Sequence, residues 1–251
     1  FKLHRTIEAE KLLEQAVQIP GIQSKLQADC KMDLGDVYLL TNKPWEATLL
    51  YSQVEKAFSN SNIAQEAKYR NARLAYFTGD FEYAKAQLLI LKSATSQLIA
   101  NDALNLSLLI TDNTTFDTTG NALKMYARAD FLIYKEQTER AMKTLDSINQ
   151  VYPSNTLADD ILMAKAKVFI QQKQYPLAVS FLQKIADEHP NDLWADDAVF
   201  MLADLYDNRL DDKAKAQILY QKIITDYPSS LWISEARKKF RTLRGDQIPG
   251  S

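Results

Sequence analysis

A nine-residue phrase occurs three times in the C-terminal half of this 251-residue chain. Each copy begins with a proline, and the copies are PSNTLADDI (153–161), PNDLWADDA (190–198) and PSSLWISEA (228–236). The prolines are 37 and then 38 residues apart. Self-similarity at such a period is typical of stacked helical arrays, in which each unit buries its apolar face only against its neighbours. The phrase therefore predicts a repeat architecture.

The composition favours an all-α fold. Hydrophobic residues make up 46% of the chain and charged residues 25%, which is typical of a folded protein. The six glycines and seven prolines mostly stand singly between periodic stretches, as expected for helices joined by short turns. No apolar run approaches the ~18 residues of a membrane span, so direct membrane insertion is not expected. The net charge of −2 likewise argues against a nucleic-acid partner.

Within one period the apolar spacing predicts a pair of helices. Apolar and small residues at spacings of three and four place one helix over 159–170 and a second over 175–189, with a polar turn between them. The proline at 190 ends the second helix, because the residue before a proline is pushed out of the helical region. Asn155, Asp192 and Ser230 follow the three prolines at matching places, and we expect them to be N-caps.

Small residues recur at two places in each helix pair. The best copy has Leu34, Gly35 and Tyr38 in its first helix and Ala47 and Tyr51 in its second. Small side chains are needed where two helices cross closely. The small positions of the first helices are Gly35, Ala72, Ala129, Ala166 and Ala203, and those of the second helices are Ala47, Ala84, Ala141, Ala178 and Ala216. This pattern resembles the tetratricopeptide repeat.

The resemblance implies a right-handed superhelical α-solenoid of helix hairpins over residues 1–244, with a flexible tail at 245–251. The interval between the small residues Ala72 and Ala129 is 57 residues instead of 37, so we expect one irregular extra helix near 100–111, followed by a loop over 112–118. Residues 4–19 are predicted to form the first helix, as part of a longer array cut at its N-terminus. Residues 231–243 are predicted to form a terminal helix with a basic outer side.

The long period and the phrase are similar to those of tetratricopeptide proteins of the bacterial envelope, such as the outer-membrane assembly lipoprotein and the Tol-Pal coordinator. This resemblance implies a non-catalytic protein-binding scaffold in cell-envelope assembly, at a periplasmic or outer-membrane-associated location. It identifies no particular partner, since a fold does not fix a function.

No catalytic, cofactor or metal site is predicted. The two histidines, His4 and His189, are far apart in sequence, and the single cysteine, Cys30, excludes an internal disulfide and is expected to be buried. Carboxylate pairs such as Asp159–Asp160 and Asp196–Asp197 suit the first turns of helices, where the helix dipole favours negative charge. We therefore expect no cofactor.

The first helix of each hairpin carries the candidate partner-binding groove. Three residues before each small position stands a large or aromatic side chain, and one residue after it stands a charge. Such side chains can supply apolar area and register for a bound peptide, although the large ones also suit packing between helices. The candidates are Met32, Asp36, Tyr69, Arg73, Tyr126, Asp130, Met163, Lys167, Phe200 and Asp204.

Other aromatic residues receive separate interpretations. Trp194 and Trp232, at equivalent places in the phrase, are expected to pack across the junctions between repeats, and Trp45 is expected to be partly exposed.

Two alternative functions stay open. The chain could be the regulatory or substrate-recognition segment of a larger enzyme. It could also be a structural module that self-associates through the apolar side of its N-terminal helix.

Overall fold

The computed structural model describes residues 5–115 and 119–246, and every regular element in these ranges is a helix. The all-α prediction is confirmed, and neighbouring helices within each unit pack against one another as in a helical repeat protein. The chain divides into two compact units, Phe1–Gln137 and Thr138–Ser251. The single superhelix proposed for residues 1–244 stays a prediction.

The first unit contains seven helices within its described residues. Their bounds are α1 Thr6–Ala16, α2 Ser24–Leu40, α3 Pro44–Ala57, α4 Asn62–Thr78, α5 Phe81–Leu91, α6 Gln97–Asp112 and α7 Asn121–Tyr134. The expected extra helix near 100–111 is α6, which packs on α5 and α4. The loop that follows it is described only to residue 115, so the rest of the predicted loop lies outside the described residues. The predicted first helix is α1, and residue 4 likewise lies outside them.

The second unit contains six helices within its described residues. Their bounds are α8 Thr138–Val151, α9 Ala158–Gln171, α10 Tyr175–Glu188, α11 Ala195–Asn208, α12 Lys213–Asp226 and α13 Ile233–Arg244. Helices α9 and α10 form one hairpin, and α11 and α12 form the next. The predicted terminal helix is α13, shifted by one or two residues from 231–243. Of the predicted flexible tail, the structure describes only Gly245 and Asp246.

Small residues are buried wherever the sequence placed them at a helix crossing. All the alanines at these positions are fully buried. Gly35 marks the closest approach, because a Cβ built on it would lie 2.4 Å from Cε1 of the buried Tyr51. A methyl group does not fit there without a shift of the ring, and this explains why glycine occupies the position.

The predicted N-caps are wrong in their position. Helices α9, α11 and α13 begin after Leu157, Trp194 and Trp232, which lie two residues beyond the expected caps. Asn155 and Ser230 instead accept hydrogen bonds from the backbone N–H groups of Leu157 and Trp232, at 2.9 and 3.1 Å. These polar side chains therefore close the turn that precedes the helix.

The described residues include no helix long and apolar enough to cross a membrane. Cys30 is half-buried rather than buried, contrary to the expectation from sequence.

Candidate protein-binding surface

The ten predicted groove residues differ widely in exposure. Met32, Tyr126 and Met163, which belong to the large-residue positions, are buried, so these side chains contribute to helix packing. The remaining seven residues are exposed or half-buried. Whether they bind a partner stays a prediction, and the two units place them in different surroundings.

In the first unit, Asp36 joins several helices. Its carboxylate accepts hydrogen bonds from the Tyr51 hydroxyl and from Nη1 of Arg70, both at 2.7 Å. Burial, together with the negative charge of Asp36, raises the pKa of Tyr134 on α7 to about 12. Arg70 binds Glu66 in addition. Asp36 on α2 is therefore held by side chains from α3 and α4, and its charge acts on Tyr134 of α7.

Helix α7 covers the predicted groove side of α4. The Arg73 guanidinium lies over the ring of Tyr134, 4.7 Å from its centroid. One turn further along α4, the Phe77 ring packs against Phe131 and Tyr134 of α7, with centroids 5.0 and 5.7 Å apart. Cation–π and aromatic contacts of this kind stabilise the position of α7. The groove residues of the first unit thus contact the unit's own helix.

Two further interactions link α7 and α6 to the earlier helices of the first unit. At the end of α7, the Lys135 ammonium donates to Oδ1 of Asn42, just beyond α2, at 2.8 Å. On α4, burial raises the pKa of Tyr69 above its usual range, and the nearby carboxylates Asp102 of α6 and Asp130 of α7 add to the effect. The charge of Asp130 therefore acts on Tyr69, and both are predicted groove residues.

The second unit carries a repeated bond between an indole and a carboxylate. Nε1 of Trp194 donates to Oδ1 of Asp160 at 2.6 Å, and Nε1 of Trp232 donates to Oδ1 of Asp197 at 2.9 Å. Donor and acceptor are 34 residues apart in the first pair and 35 in the second. Each indole thus joins the residues just before one helix, α11 or α13, to the first helix of the preceding hairpin. This confirms the expected packing of both tryptophans across junctions.

The first of these junctions includes a cation. The Lys167 ammonium lies over the Trp194 ring, 4.3 Å from its centroid. Burial raises the pKa of Asp197, while the bond from Trp232 and the nearby charge of Lys167 both act to lower it. Lys167, exposed on α9, is therefore close to residues of the next hairpin.

The second junction is aromatic on both sides. The Phe200 ring lies parallel to Trp232, with centroids 4.2 Å apart and an angle of 13° between the planes. The edge of Tyr220 meets Phe200, with centroids 5.8 Å apart. Asp204 is close enough to help raise the pKa of Tyr220, which burial raises most. Asp204 also accepts a hydrogen bond from Asn208 at 2.6 Å.

We call the surface formed by Lys167, Trp194, Phe200, Asp204 and Trp232 the indole surface. It lies on helices α9 and α11 and on the residues that precede α11 and α13. Trp232 is 36% exposed, and the other four side chains are exposed or half-buried. Aromatic side chains are enriched at protein interfaces, so this arrangement suits protein binding.

The sequence reasoning missed the acceptors of the indole bonds. Asp160 and Asp197 were interpreted only as complements of the helix dipole. Their common distance from the tryptophans, close to one repeat, is the signal that could have identified them.

A second missed feature is the buried carboxylate of Asp207, which binds two lysines. Lys213 of α12 and Lys239 of α13 donate to its two oxygens, at 2.8 and 3.3 Å. Lys213 also donates to the backbone carbonyl of Asp207. Burial acts to raise the pKa of Asp207, but the bonds from both lysines lower it below the usual value. Asp207 thereby links the last two helices to α11.

Metal-ligating residues do not cluster in the described ranges: no group of three or more His, Cys, Asp or Glu side chains is placed to hold a metal ion there. His189 contacts Asp192, with Nδ1 2.7 Å from Oδ2. His4 lies outside the described residues.

Two segments, 160–192 and 197–230, match a family model described as the tetratricopeptide repeat. Both matched segments lie in the second unit. They correspond to the hairpins α9–α10 and α11–α12, which carry Lys167, Phe200 and Asp204. No curated protein matches the chain.

Exposed apolar side chains also occur away from these repeats. Trp45 at the start of α3 is 82% exposed. The expectation that this side chain is at least partly exposed is therefore confirmed. Leu49, one turn further along α3, is also exposed.

Proposed function

We propose that the chain is a protein-binding scaffold and that a partner binds at the indole surface. Tetratricopeptide repeats generally bind protein partners, and both matched repeats contribute to this surface. The supporting observation is the contrast between the units. In the first unit the corresponding side of α4 is covered by α7, whereas in the second unit Trp232, Phe200 and Lys167 remain at the surface.

The chemistry of the indole surface suits an extended peptide or a partner helix. Its rings offer apolar area, and two charges of opposite sign, Lys167 and Asp204, offer orientation. The rings are held in place before binding, because each indole N–H already bonds a carboxylate and the Phe200 ring stacks on Trp232. Preorganised aromatic groups lose little conformational freedom on binding, and this favours affinity.

A charge reversal tests the proposal. Lys167→Glu changes an exposed side chain of the indole surface, and Lys184→Glu makes the same change at an exposed site on α10. Each variant is immobilised and exposed to a lysate of the source organism, and captured proteins are quantified by mass spectrometry. We expect Lys167→Glu to lose a partner that the wild type and Lys184→Glu retain. Equal capture by all three proteins would contradict binding at this surface.

We also propose that the scaffold acts in bacterial cell-envelope assembly, in the periplasm or at the outer membrane. The support is the resemblance in period and phrase described above. Cell fractionation with an antibody against the chain tests the location. Detection only in the cytoplasm would refute it.

The two alternatives stay hypotheses. A role as the recognition segment of a larger enzyme predicts that the captured partner is an enzyme substrate. Self-association is favoured by the exposed apolar side chains Ile7, Leu12 and Ile19 in and just after α1. Light scattering over a range of concentrations distinguishes self-association from binding to other proteins.

A further inference from the structure

We infer that Trp232 and Asp204 form a binding site for a cationic side chain, a lysine or arginine supplied by the protein partner. This inference rests on the proposed function, because it names the chemistry that the indole surface would recognise. It is carried by a comparison between the two indole junctions of the second unit.

The first junction shows what such a site looks like when it is filled. Trp194 donates its indole N–H to Asp160, and the Lys167 ammonium lies over its ring at 4.3 Å. A cation at this distance from an indole face is attracted by the negative face of the π system. The chain supplies this cation from its own helix α9.

The second junction keeps the indole and its acceptor but lacks the cation. Trp232 donates to Asp197 as Trp194 donates to Asp160. In the repeat, the position of Lys167 is occupied by Asp204, 37 residues later. Within the part of the chain that the structure describes, no lysine or arginine lies over the Trp232 ring, although Arg237 and Lys238 are nearby in sequence on α13.

The Trp232 side chain is partly exposed. Phe200 lies parallel to the ring at 4.2 Å and covers one face, yet Trp232 is still 36% exposed. The part of Trp232 that Phe200 and its other neighbours leave uncovered is therefore accessible to a partner. A partner's ammonium or guanidinium group can stack there in the way that Lys167 stacks on Trp194.

The local charge also suits a cation. Asp204 and Glu235 are both close enough to help raise the pKa of Tyr220, whose ring meets Phe200. A carboxylate has more acceptor capacity than the single bond from Asn208 uses, so Asp204 can also receive a bond from a bound cation. The hydrogen bond from the indole N–H to the Asp197 carboxylate adds electron density to the ring and strengthens its attraction for a cation.

The site can be tested with a peptide of defined composition added to the 251-residue chain. The probe is acetyl-Leu-Lys-Leu-Lys-Leu-amide, and its matched control carries acetyl-lysine at both lysine positions. The chain has three tryptophans, Trp45, Trp194 and Trp232, so their indole N–H signals can be followed separately by NMR. We expect the lysine peptide to shift the Trp232 signal in a saturable manner. We expect the acetylated peptide to bind about 3- to 30-fold more weakly.

Two variants make the test specific. Asp204→Lys copies the arrangement of the first junction, so the chain's own lysine should occupy the Trp232 ring and exclude the peptide cation. Trp232→Leu removes the ring, and Trp45→Leu removes an exposed tryptophan elsewhere as the control. Calorimetric titration with each peptide compares all three variants, including Trp232→Leu, which lacks the Trp232 signal. We expect the first two variants to lose the preference for the lysine peptide and the third to keep it.

The outcomes separate this inference from the proposed function. The inference is overturned if the Trp232 signal does not shift, or if it shifts equally with both peptides. It is also overturned if Asp204→Lys retains the preference for the lysine peptide. A partner that is lost with Lys167→Glu but retained with Asp204→Lys leaves the proposed function intact and removes only the cation site.

Discussion

Replacing Gly35 by alanine should destabilise the first unit, although alanine is the better helix former. The new Cβ would lie 2.4 Å from Cε1 and 2.8 Å from Cζ of Tyr51, whereas carbon atoms in contact are normally about 3.5–4.0 Å apart. The Tyr51 ring must therefore move by about 1 Å. The ring is fully buried, and its hydroxyl donates a hydrogen bond to Asp36 at 2.7 Å. The surrounding core and this hydrogen bond both restrain the movement of the ring.

The magnitude follows from two opposing contributions. Overpacking of a filled core costs about 1–3 kcal/mol, and weakening a hydrogen bond to a charged group adds up to about 1.5 kcal/mol. Alanine gains about 1 kcal/mol over glycine in a helix interior. Taken at their midpoints, these contributions predict that Gly35→Ala lowers the free energy of unfolding of the first unit by about 2 kcal/mol.

A double-mutant cycle with Tyr51→Leu isolates the steric effect. Leucine has no ring at the crowded point, so Gly35→Ala should be neutral or stabilising by up to about 1 kcal/mol in that background. Urea unfolding followed by circular dichroism measures the free energies, and hydrogen exchange of α2 and α3 assigns the change to this unit. An equal effect of Gly35→Ala in both backgrounds, or a stabilised single variant, would refute the steric reasoning.

Other predictions concern the second unit. Asp207→Asn should lower its stability by about 2 kcal/mol in urea unfolding at pH 7, because the bonds from Lys213 and Lys239 lose their charged acceptor. Since the pKa of Asp207 is lowered in the folded state, its contribution is complete above the unfolded pKa of about 4 and is lost as the pH falls below that value. The stability difference between wild type and Asp207→Asn should therefore shrink as the pH falls below about 4, and a constant difference in parallel urea titrations would contradict this linkage. Trp194→Phe keeps a ring but leaves the buried Asp160 without its indole donor, so a loss of about 1–3 kcal/mol is expected, and no change in the unfolding midpoint would show that the bond contributes nothing.

Local features of the fold could be predicted from the sequence because each repeat carries the same residue types at the same positions. The small residues at helix crossings, such as Gly35 and Ala166, are buried as expected, and α6 accounts for the long interval. The prediction of the N-caps was wrong because Asn155 and Ser230 are suited both to capping a helix and to closing a turn. Which of these two roles they take depends on how the preceding helix ends.

The cover of α4 by α7 could not be predicted. The interval between Ala72 and Ala129 shows that the period is interrupted. It does not show which earlier helix α7 packs against after the extra helix α6. Contacts such as those of Arg73 and Phe77 with Tyr134 depend on the path of α6. The candidate site was predicted only in part for the same reason, since exposure of a groove residue is decided by helices that are distant in sequence.

The indole–carboxylate bond has a consequence for how such a chain can change its length. Its donor and acceptor belong to successive repeats, and the same two groups recur at the next junction. Removal of one complete repeat would bring Trp232 opposite Asp160, and duplication of one would create another matched pair. Gain or loss of whole repeats thus leaves no buried carboxylate without a donor, whereas gain or loss of a fraction of a repeat does.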